Sequence, residues 1–211
     1  MRSLVYDTMS AGARVTLAVN GGPKDIFGGW DHMTNIITIA GKKYLLDVGF
    51  GGNGPTEPVP LEDGIEMRWG MTDDKVRVIW TRLSQFTSPD SRIWVLQHRR
   101  AGCSWDDIYA FTEMEFLPED FEVTNCKATR DPRSWFNHEI VCVKTLLDEN
   151  DDVVGMMLLT DGKVNKRIKG KNHRMEKCKS EDERVEASKK YFGIVLSPEE
   201  RYGIKGMPSE L

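Results

Sequence analysis

The sequence predicts an α+β protein whose first half is a β-barrel or a β-sandwich. Short segments rich in β-branched and aromatic residues follow one another closely in this half, and turns containing Gly or Pro separate them. No helical pattern alternates with these strands, which argues against βαβ units. After residue 117 the pattern changes, and helix-start signals appear among the remaining strands.

The strands of the first half are predicted in order along the chain. Segment 10–19 is rich in Ala and Val and ends at the turn cluster Asn20-Gly21-Gly22-Pro23. Segment 32–39 is rich in β-branched residues, a tight turn follows at Ala40-Gly41-Lys42, and 43–48 returns as its antiparallel neighbour. Glycine and proline make the next segment irregular as far as residue 60. Further strands are predicted at 66–69, 75–83, 93–99 and 107–116.

The second half is predicted to mix helices with one strand pair. Pro118 and Glu119 suit the first turn of a helix over 121–128. An acidic turn separates two strands, and a basic segment with eight Lys or Arg residues follows, which we interpret as solvated surface. Gly193 ends an amphipathic helix, and Ser197 caps the last one. The strands span 139–147 and 153–160, the basic segment 163–179 and the amphipathic helix 181–192.

Composition and charge exclude several classes of function. The net charge of −4 gives no sign of a nucleic-acid or anionic-membrane partner. The longest apolar runs are far shorter than the roughly 20 residues that cross a bilayer, and the N-terminus lacks a signal-peptide pattern. The four cysteines are widely spaced, which indicates free thiols rather than a disulfide or metal framework. We therefore expect a cytoplasmic protein that binds no metal, nucleic acid or membrane.

The predicted hairpin brings together a histidine and an aspartate. A turn near Gly41 places His32 and Asp47 within about two rungs of each other, where diagonal neighbours lie about 7–8 Å apart. At that range the carboxylate can accept the imidazole Nδ1–H and orient a catalytic base. The loop Gly49-Phe50-Gly51-Gly52 follows at once and can offer backbone N–H groups to a ligand. A chance pair on the surface remains the alternative from spacing alone.

Two segments around the histidine and the aspartate have a specific pattern: Trp30-Asp31-His32-Met33-Thr34-Asn35-Ile36 and Tyr44-Leu45-Leu46-Asp47-Val48-Gly49-Phe50-Gly51. They resemble the histidine and aspartate segments of the arylamine N-acetyltransferases, in the form of the fungal members. The similarity continues at 10–15, 53–58, 111–121 and 132–136, so it covers nearly the whole chain.

The resemblance implies a fold related to the papain-like proteases, with a Cys-His-Asp triad and ping-pong acetyl transfer. The donor would be acetyl-coenzyme A, and the acceptors small aromatic amines or hydrazines. His32 would be the base that holds a cysteine as thiolate, and Asp47 the orienting carboxylate. Gly49, Phe50, Gly51 and Gly52 would lie beside the acyl acceptor and coenzyme A, with Phe50 as an aromatic wall. The implied domains are a β-barrel at 10–120 and an α/β lid at 121–211.

The sequence departs from the family at the nucleophile. Family members carry an Arg-Gly-Gly-x-Cys motif well before the histidine, and that motif does not occur in these 211 residues. Segment 1–9 resembles only the tail of the nucleophile helix, so we expect a fold that lacks most of the N-terminal helical bundle. Arg100-Ala101-Gly102-Cys103 echoes the motif, but it falls in a predicted turn without the helix N-terminus that would lower a thiol pKa. We therefore expect the chain by itself to be inactive.

Three interpretations stay open. The chain can be an incomplete version of a family enzyme, either a fragment or the product of a misplaced start site. It can be a short paralogue that has lost transfer activity and keeps only a surface for coenzyme A or a partner. It can also be an unrelated β-barrel binding module, although the extent of the resemblance argues against that interpretation.

Overall fold

An eight-stranded antiparallel sheet carries the histidine and the aspartate in the computed structural model. The structure describes residues 6–70, 73–132 and 134–211. The sheet has the order β4-β3-β2-β1-β8-β7-β6-β5, and contacts between β4 and β6 curl it into a nearly closed barrel. Its strands are β1 (Asp7–Val15), β2 (His32–Ile39), β3 (Lys42–Leu46), β4 (Val59–Pro60), β5 (Met67–Arg68), β6 (Lys75–Thr81), β7 (Ile93–Arg99) and β8 (Asp106–Glu115).

The expected α+β class is confirmed. The chain divides into two units, Met1–Cys126 and Lys127–Leu211, and helix α1 (Pro118–Arg130) crosses the division. Asp7, Thr8 and Met9, which we assigned to a helix remnant, are the first residues of β1. Segment 1–5, the rest of that remnant, lies outside the described residues.

The first strand also ends earlier than the sequence predicted. Thr16 caps a short 3-10 helix, Leu17–Asn20, because its hydroxyl accepts the N–H of Ala18. Gly21, with φ of 77°, ends that helix in the left-handed region. The local hydrogen bond thus takes precedence over the β-propensity of Val19.

The hairpin of β2 and β3 sets the geometry of the candidate site. Ala40 (φ 49°) and Gly41 (φ 78°) both take left-handed backbone, so a two-residue turn joins the strands. The register pairs Ile39 with Lys42 and Asn35 with Leu46. One further rung places Asp47 opposite Thr34, so His32 and Asp47 lie diagonally on the same face of the sheet.

Both faces of the barrel sheet are packed. On one face a cluster of Phe27, Leu83, Ile93, Val95 and Ala110 is almost fully buried. Opposite residues of an antiparallel pair share a face, so Ala13 is on the same side as its partners His32 and Phe111. That second face is the one that holds the candidate site.

The second unit contains a four-stranded antiparallel sheet. Its order is β12-β11-β10-β9, and α2 (Glu181–Ala187) with the π-helical turn Ser188–Phe192 follows it. Met157, Leu159, Val164, Cys178 and Ala187 form its buried core. The strands are β9 (Val141–Leu147), β10 (Val153–Thr160), β11 (Lys163–Ile168) and β12 (Lys171–Lys177).

The basic segment forms a hairpin that we did not predict as strands. Asp161-Gly162 precedes β11 and Lys169-Gly170 separates β11 from β12, and all four residues have positive φ. Asp-Gly is a common sequence for such two-residue turns, so a local signal was present. The expected helix stop at Gly193 is confirmed. So is Ser197 as the N-cap of α3 (Pro198–Tyr202), where it also forms a capping box with Glu200.

The helices of the structure bear on the expectation that the chain does not cross a membrane. In the part of the chain that the structure describes, no helix has the length and apolar character needed to cross a bilayer.

Gly155 provides a test of the packing in the second sheet. A Cβ built at Gly155 would lie 2.1 Å from the carbonyl oxygen of Arg167, a backbone atom that no rotamer change can move. Gly155→Ala should therefore lower the free energy of unfolding by about 1–3 kcal/mol through overpacking. Urea denaturation measures the change, with Asn172→Ala on the exposed edge strand β12 as the control. Equal midpoints for the two variants would contradict the packing described here.

Candidate active site

His32 and Asp47 form a direct hydrogen-bonded pair. The distance from His32 Nε2 to Asp47 Oδ2 is 2.6 Å. The side chain of Asp47 is 1% exposed, and that of His32 is 15% exposed. Asp47 follows the last residue of β3, and His32 is the first residue of β2. The diagonal contact expected from the hairpin is therefore present, and one ring edge of the histidine remains near the surface.

The second oxygen of Asp47 anchors the glycine-rich loop. Oδ1 accepts the backbone N–H of Gly49 at 2.9 Å and that of Phe50 at 3.0 Å. We expected the loop to offer its N–H groups to a ligand. The structure differs here, because the carboxylate uses these two N–H groups itself, as in an Asx-type turn.

The orienting contact uses the other ring nitrogen from the one expected. We predicted a bond from Nδ1–H, whereas Nε2 faces Asp47. The physical reason is reach: diagonal positions are about 7–8 Å apart, and Nε2 lies farther from the backbone than Nδ1. A carboxylate that accepts from Nε2–H fixes the neutral tautomer with its lone pair on Nδ1. Nδ1 is thereby the basic atom of the pair.

The environment of Asp47 keeps its carboxyl ionised. Burial by itself raises the pKa of this carboxyl. The hydrogen bond and charge of His32, the Tyr109 hydroxyl and the N–H of Gly49 act in the opposite direction and hold the pKa below its ordinary value of 3.8. Asp47 is therefore a carboxylate at neutral pH, as an orienting group for a base must be.

Two aromatic rings enclose His32. The centroids of Phe50 and Tyr109 each lie 5.2 Å from that of the imidazole, and 5.2 Å from each other. Phe50 contacts His32 edge-on, with an interplanar angle of 81°. Of the loop residues predicted for the site, Phe50 and Gly49 therefore contact the His–Asp pair directly.

Tyr109 is a site residue that the sequence reasoning missed. It is fully buried on β8, and its hydroxyl lies beside Thr34 and Asp47. Burial, followed by the negative charge of Asp47, raises the pKa of Tyr109 well above 10.0, so the phenol stays protonated. The only signal in the sequence was its place in a predicted strand. Its neighbours across the sheet depend on the register between β1 and β8.

The other two predicted loop residues shape the backbone. Gly51 has φ of 83°, a conformation that favours glycine. Its carbonyl oxygen accepts the N–H of Gly54 at 3.0 Å, and Gly52 lies half-buried between them. Gly51 and Gly52 thus form the turn that follows Phe50.

Cys103 does not take the place of a nucleophile beside His32. Cys103 is exposed in the turn between β7 and β8. Phe111 lies at the level of His32 in the sheet, and it is five residues, or about 17 Å of extended strand, from the start of β8. Cys126, Cys142 and Cys178 lie on α1, on β9 and after β12.

Across 6–70, 73–132 and 134–211, no group of three or more His, Cys, Asp or Glu side chains is arranged to hold a metal ion.

Comparison with known proteins decides the family. A family model described as N-acetyltransferase matches residues 1–201. The chain belongs to the arylamine N-acetyltransferase family. This membership confirms the resemblance seen in the histidine and aspartate segments, and it excludes the interpretation as an unrelated β-barrel binding module.

Curated relatives in this family include fungal acyltransferases. The chain is 30% identical over 220 residues to N-malonyltransferase FDB2 of Fusarium pseudograminearum, a match that covers 96% of this chain and 64% of that protein. The chain thus spans less than two thirds of the length of this relative. The family supports N-acyltransferase chemistry in general.

Solved arylamine N-acetyltransferases share the fold. The enzyme of Salmonella typhimurium matches with a TM-score of 0.74 at 20% identity, over 96% of this chain and 69% of the other. The Mycobacterium marinum enzyme in complex with CoA gives 0.70 at 23%, over 92% and 64%. A Bacillus cereus enzyme described as having a Cys-His-Glu catalytic triad gives 0.69 at 22%, over 92% and 68%.

Because the pKa of Asp47 is lowered in the folded protein, the free energy of unfolding should depend on pH in the acid range. The pKa of Asp47 in the folded protein lies below the unfolded value of 3.8. The ionised carboxylate therefore stabilises the folded protein at pH values above 3.8. This contribution is lost as the pH falls through the folded-state pKa. The urea midpoint should therefore fall more steeply for the wild type than for Asp47→Asn between about pH 5 and pH 2.

The matched control for this measurement is Asp90→Asn, which changes an exposed aspartate in the same unit. Its pH profile should follow that of the wild type. Parallel profiles for the wild type and Asp47→Asn would show that Asp47 is not stabilised as a carboxylate in the folded protein.

Proposed function

We propose that this chain supplies the base and its orienting carboxylate to an N-acyltransferase active site with a Cys-His-Asp triad. The observation that carries the proposal is the orientation of His32: Nε2 is bound to a buried carboxylate. No hydrogen bond to Nδ1 comes from the described residues. A base whose tautomer is fixed on one side and whose lone pair is available on the other suits deprotonation of a thiol.

The proposed chemistry has two half-reactions. The nucleophilic cysteine, in an Arg-Gly-Gly-x-Cys segment, transfers its proton to Nδ1 of His32. The thiolate then attacks the thioester carbonyl of an acyl-coenzyme A, and the leaving coenzyme A thiolate takes up that proton. In the second half-reaction an amine attacks the acyl-cysteine, and His32 receives the amine proton as the cysteine is released.

Asp47 stabilises the imidazolium that forms in each half-reaction. The ionised carboxylate lies 2.6 Å from the ring nitrogen that carries a proton throughout. Its second oxygen is held by two backbone N–H groups, so the carboxylate does not need to reorganise when the charge appears.

The donor is proposed to be an acyl-coenzyme A, with acetyl and malonyl as the two groups to compare. The family supports acetyl transfer, and a family neighbour has been solved in complex with CoA. The fungal relatives at 30% identity are N-malonyltransferases. Both groups present the same thioester to the cysteine, and they differ only in the additional carboxylate of malonate.

The acceptor is proposed to be a small aromatic amine or hydrazine. Phe50 is half-buried and stands edge-on to His32. An aromatic ring that enters beside His32 can pack against Phe50, and ring pairs of this kind contribute about 0.5–1.5 kcal/mol beyond their buried area.

The experiment that tests this function supplies a nucleophilic cysteine to the chain. A chimaera carries a family Arg-Gly-Gly-x-Cys segment fused before Met1, and is incubated with acetyl-coenzyme A or malonyl-coenzyme A. Intact-mass spectrometry should detect one acyl group on the supplied cysteine, and an aromatic amine should remove it. The 211-residue chain alone should form no acyl adduct on Cys103.

Two variants of the chimaera assign the roles. His32→Gln removes the base, and Asp47→Asn donates to Nε2 and so places the ring proton on Nδ1. Each should slow acylation on the order of 10³–10⁴-fold. His173→Gln, an exposed histidine of β12, is the matched control and should acylate at the parent rate. A chimaera that binds coenzyme A but is never acylated would favour a binding function instead.

A further inference from the structure

The loop that carries Phe50 has a second anchor besides Asp47. The indole Nε1–H of Trp69 donates to the carbonyl oxygen of Gly54 at 2.7 Å. Trp69 is 6% exposed and lies directly after β5, and Gly54 is also buried. This buried hydrogen bond therefore joins the residue after β5 to the segment that follows Asp47.

The indole ring is itself held in place. The backbone N–H of Trp69 donates to the carbonyl of Asp74 across the β5–β6 turn at 2.9 Å. The ring packs against His98 of β7, with centroids 5.1 Å apart. His98 in turn lies 3.5 Å from the Asp74 carboxylate, and the carboxylate accepts the N–H of Ala101. Trp69 is thus held both by Asp74, directly before β6, and by His98 of β7.

Gly54 lies close to Phe50. A Cβ built at Gly54 would lie 3.0 Å from Phe50 Cβ and 3.8 Å from the carbonyl oxygen of Asp47. The N–H of Gly54 also closes the turn onto Gly51. Gly54 is therefore a close neighbour of Phe50, and Phe50 in turn contacts the imidazole of His32.

We propose that Trp69 is a positioning residue for the proposed acyl-transfer site. Its indole N–H holds loop 47–54 so that Phe50 packs against His32, and Asp47 holds the same loop from the other end. The functional consequence rests on the proposed function. The positioning itself is a property of the folded chain.

Amide exchange measured by NMR tests the positioning without any activity. Trp69→Phe keeps an aromatic ring and removes the indole N–H. The buried carbonyl of Gly54 then loses the hydrogen bond that it accepts from Trp69. The amides of Gly49 and Phe50 should then exchange at least about ten-fold faster, because the loop opens locally. The amide of Val95, buried in β7, should keep its rate.

Trp94→Phe is the matched control. It removes another largely buried indole donor, which binds Glu113 Oε1 at 2.8 Å, and it should leave the loop amides unchanged. Unchanged loop rates in Trp69→Phe would overturn the proposal. So would an equal acceleration at Val95, or the same loop acceleration in Trp94→Phe.

A measurement on the wild type covers the case in which Trp69→Phe fails to fold. The indole Nε1–H of Trp69 should exchange with the same opening free energy as the amides of Gly49 and Phe50. If its free energy of opening instead equalled that of the Val95 amide, the indole would belong to the barrel core and would not act on the loop.

The kinetic consequence is tested in the chimaera. Trp69→Phe should lower kcat by about ten-fold with little change in the KM for acyl-coenzyme A, because small displacements of a catalytic group reduce rate more than binding. A loop that loosens as expected in an inactive parent chimaera would count against the proposed function and leave the positioning role intact.

Discussion

The buried carboxylate of Asp47 is the constraint on which the site depends. One oxygen binds His32, and the other binds the backbone of the loop that follows. A carboxylate buried without such partners would be strongly unfavourable. Asp47 is therefore ionised only because the hairpin and the loop are both in place. In turn, the carboxylate fixes the histidine tautomer and the path of the loop with a single side chain.

Two aromatic side chains surround the His32–Asp47 pair. Tyr109 and Phe50 pack against His32 and against each other, so they exclude water from the pair on two sides. A dry environment strengthens the interaction between the carboxylate and the imidazolium. The 15% of the His32 side chain that stays exposed is enough for one ring edge to meet a partner.

Local patterns predicted the elements of the barrel well, and they failed where local chemistry or sheet register intervened. The strands 32–39 and 93–99 have the limits that β-propensity predicts, whereas the Thr16 hydroxyl ended the first strand early. The β11–β12 hairpin was missed because its charge pattern obscured the Asp-Gly turn ahead of it. Charge reports solvent exposure, and an edge hairpin is exposed on much of its surface.

By itself, the sequence indicated the family and the hairpin that brings His32 and Asp47 near each other, because a tight turn makes the strands on either side antiparallel neighbours. Tertiary structure alone decided which ring nitrogen faces Asp47, because that depends on the diagonal distance across the ladder. It also placed Tyr109 beside Asp47 and the indole of Trp69 against Gly54. These residues reach Asp47 and Gly54 from strands distant in the chain, and no local pattern encodes contacts between such strands.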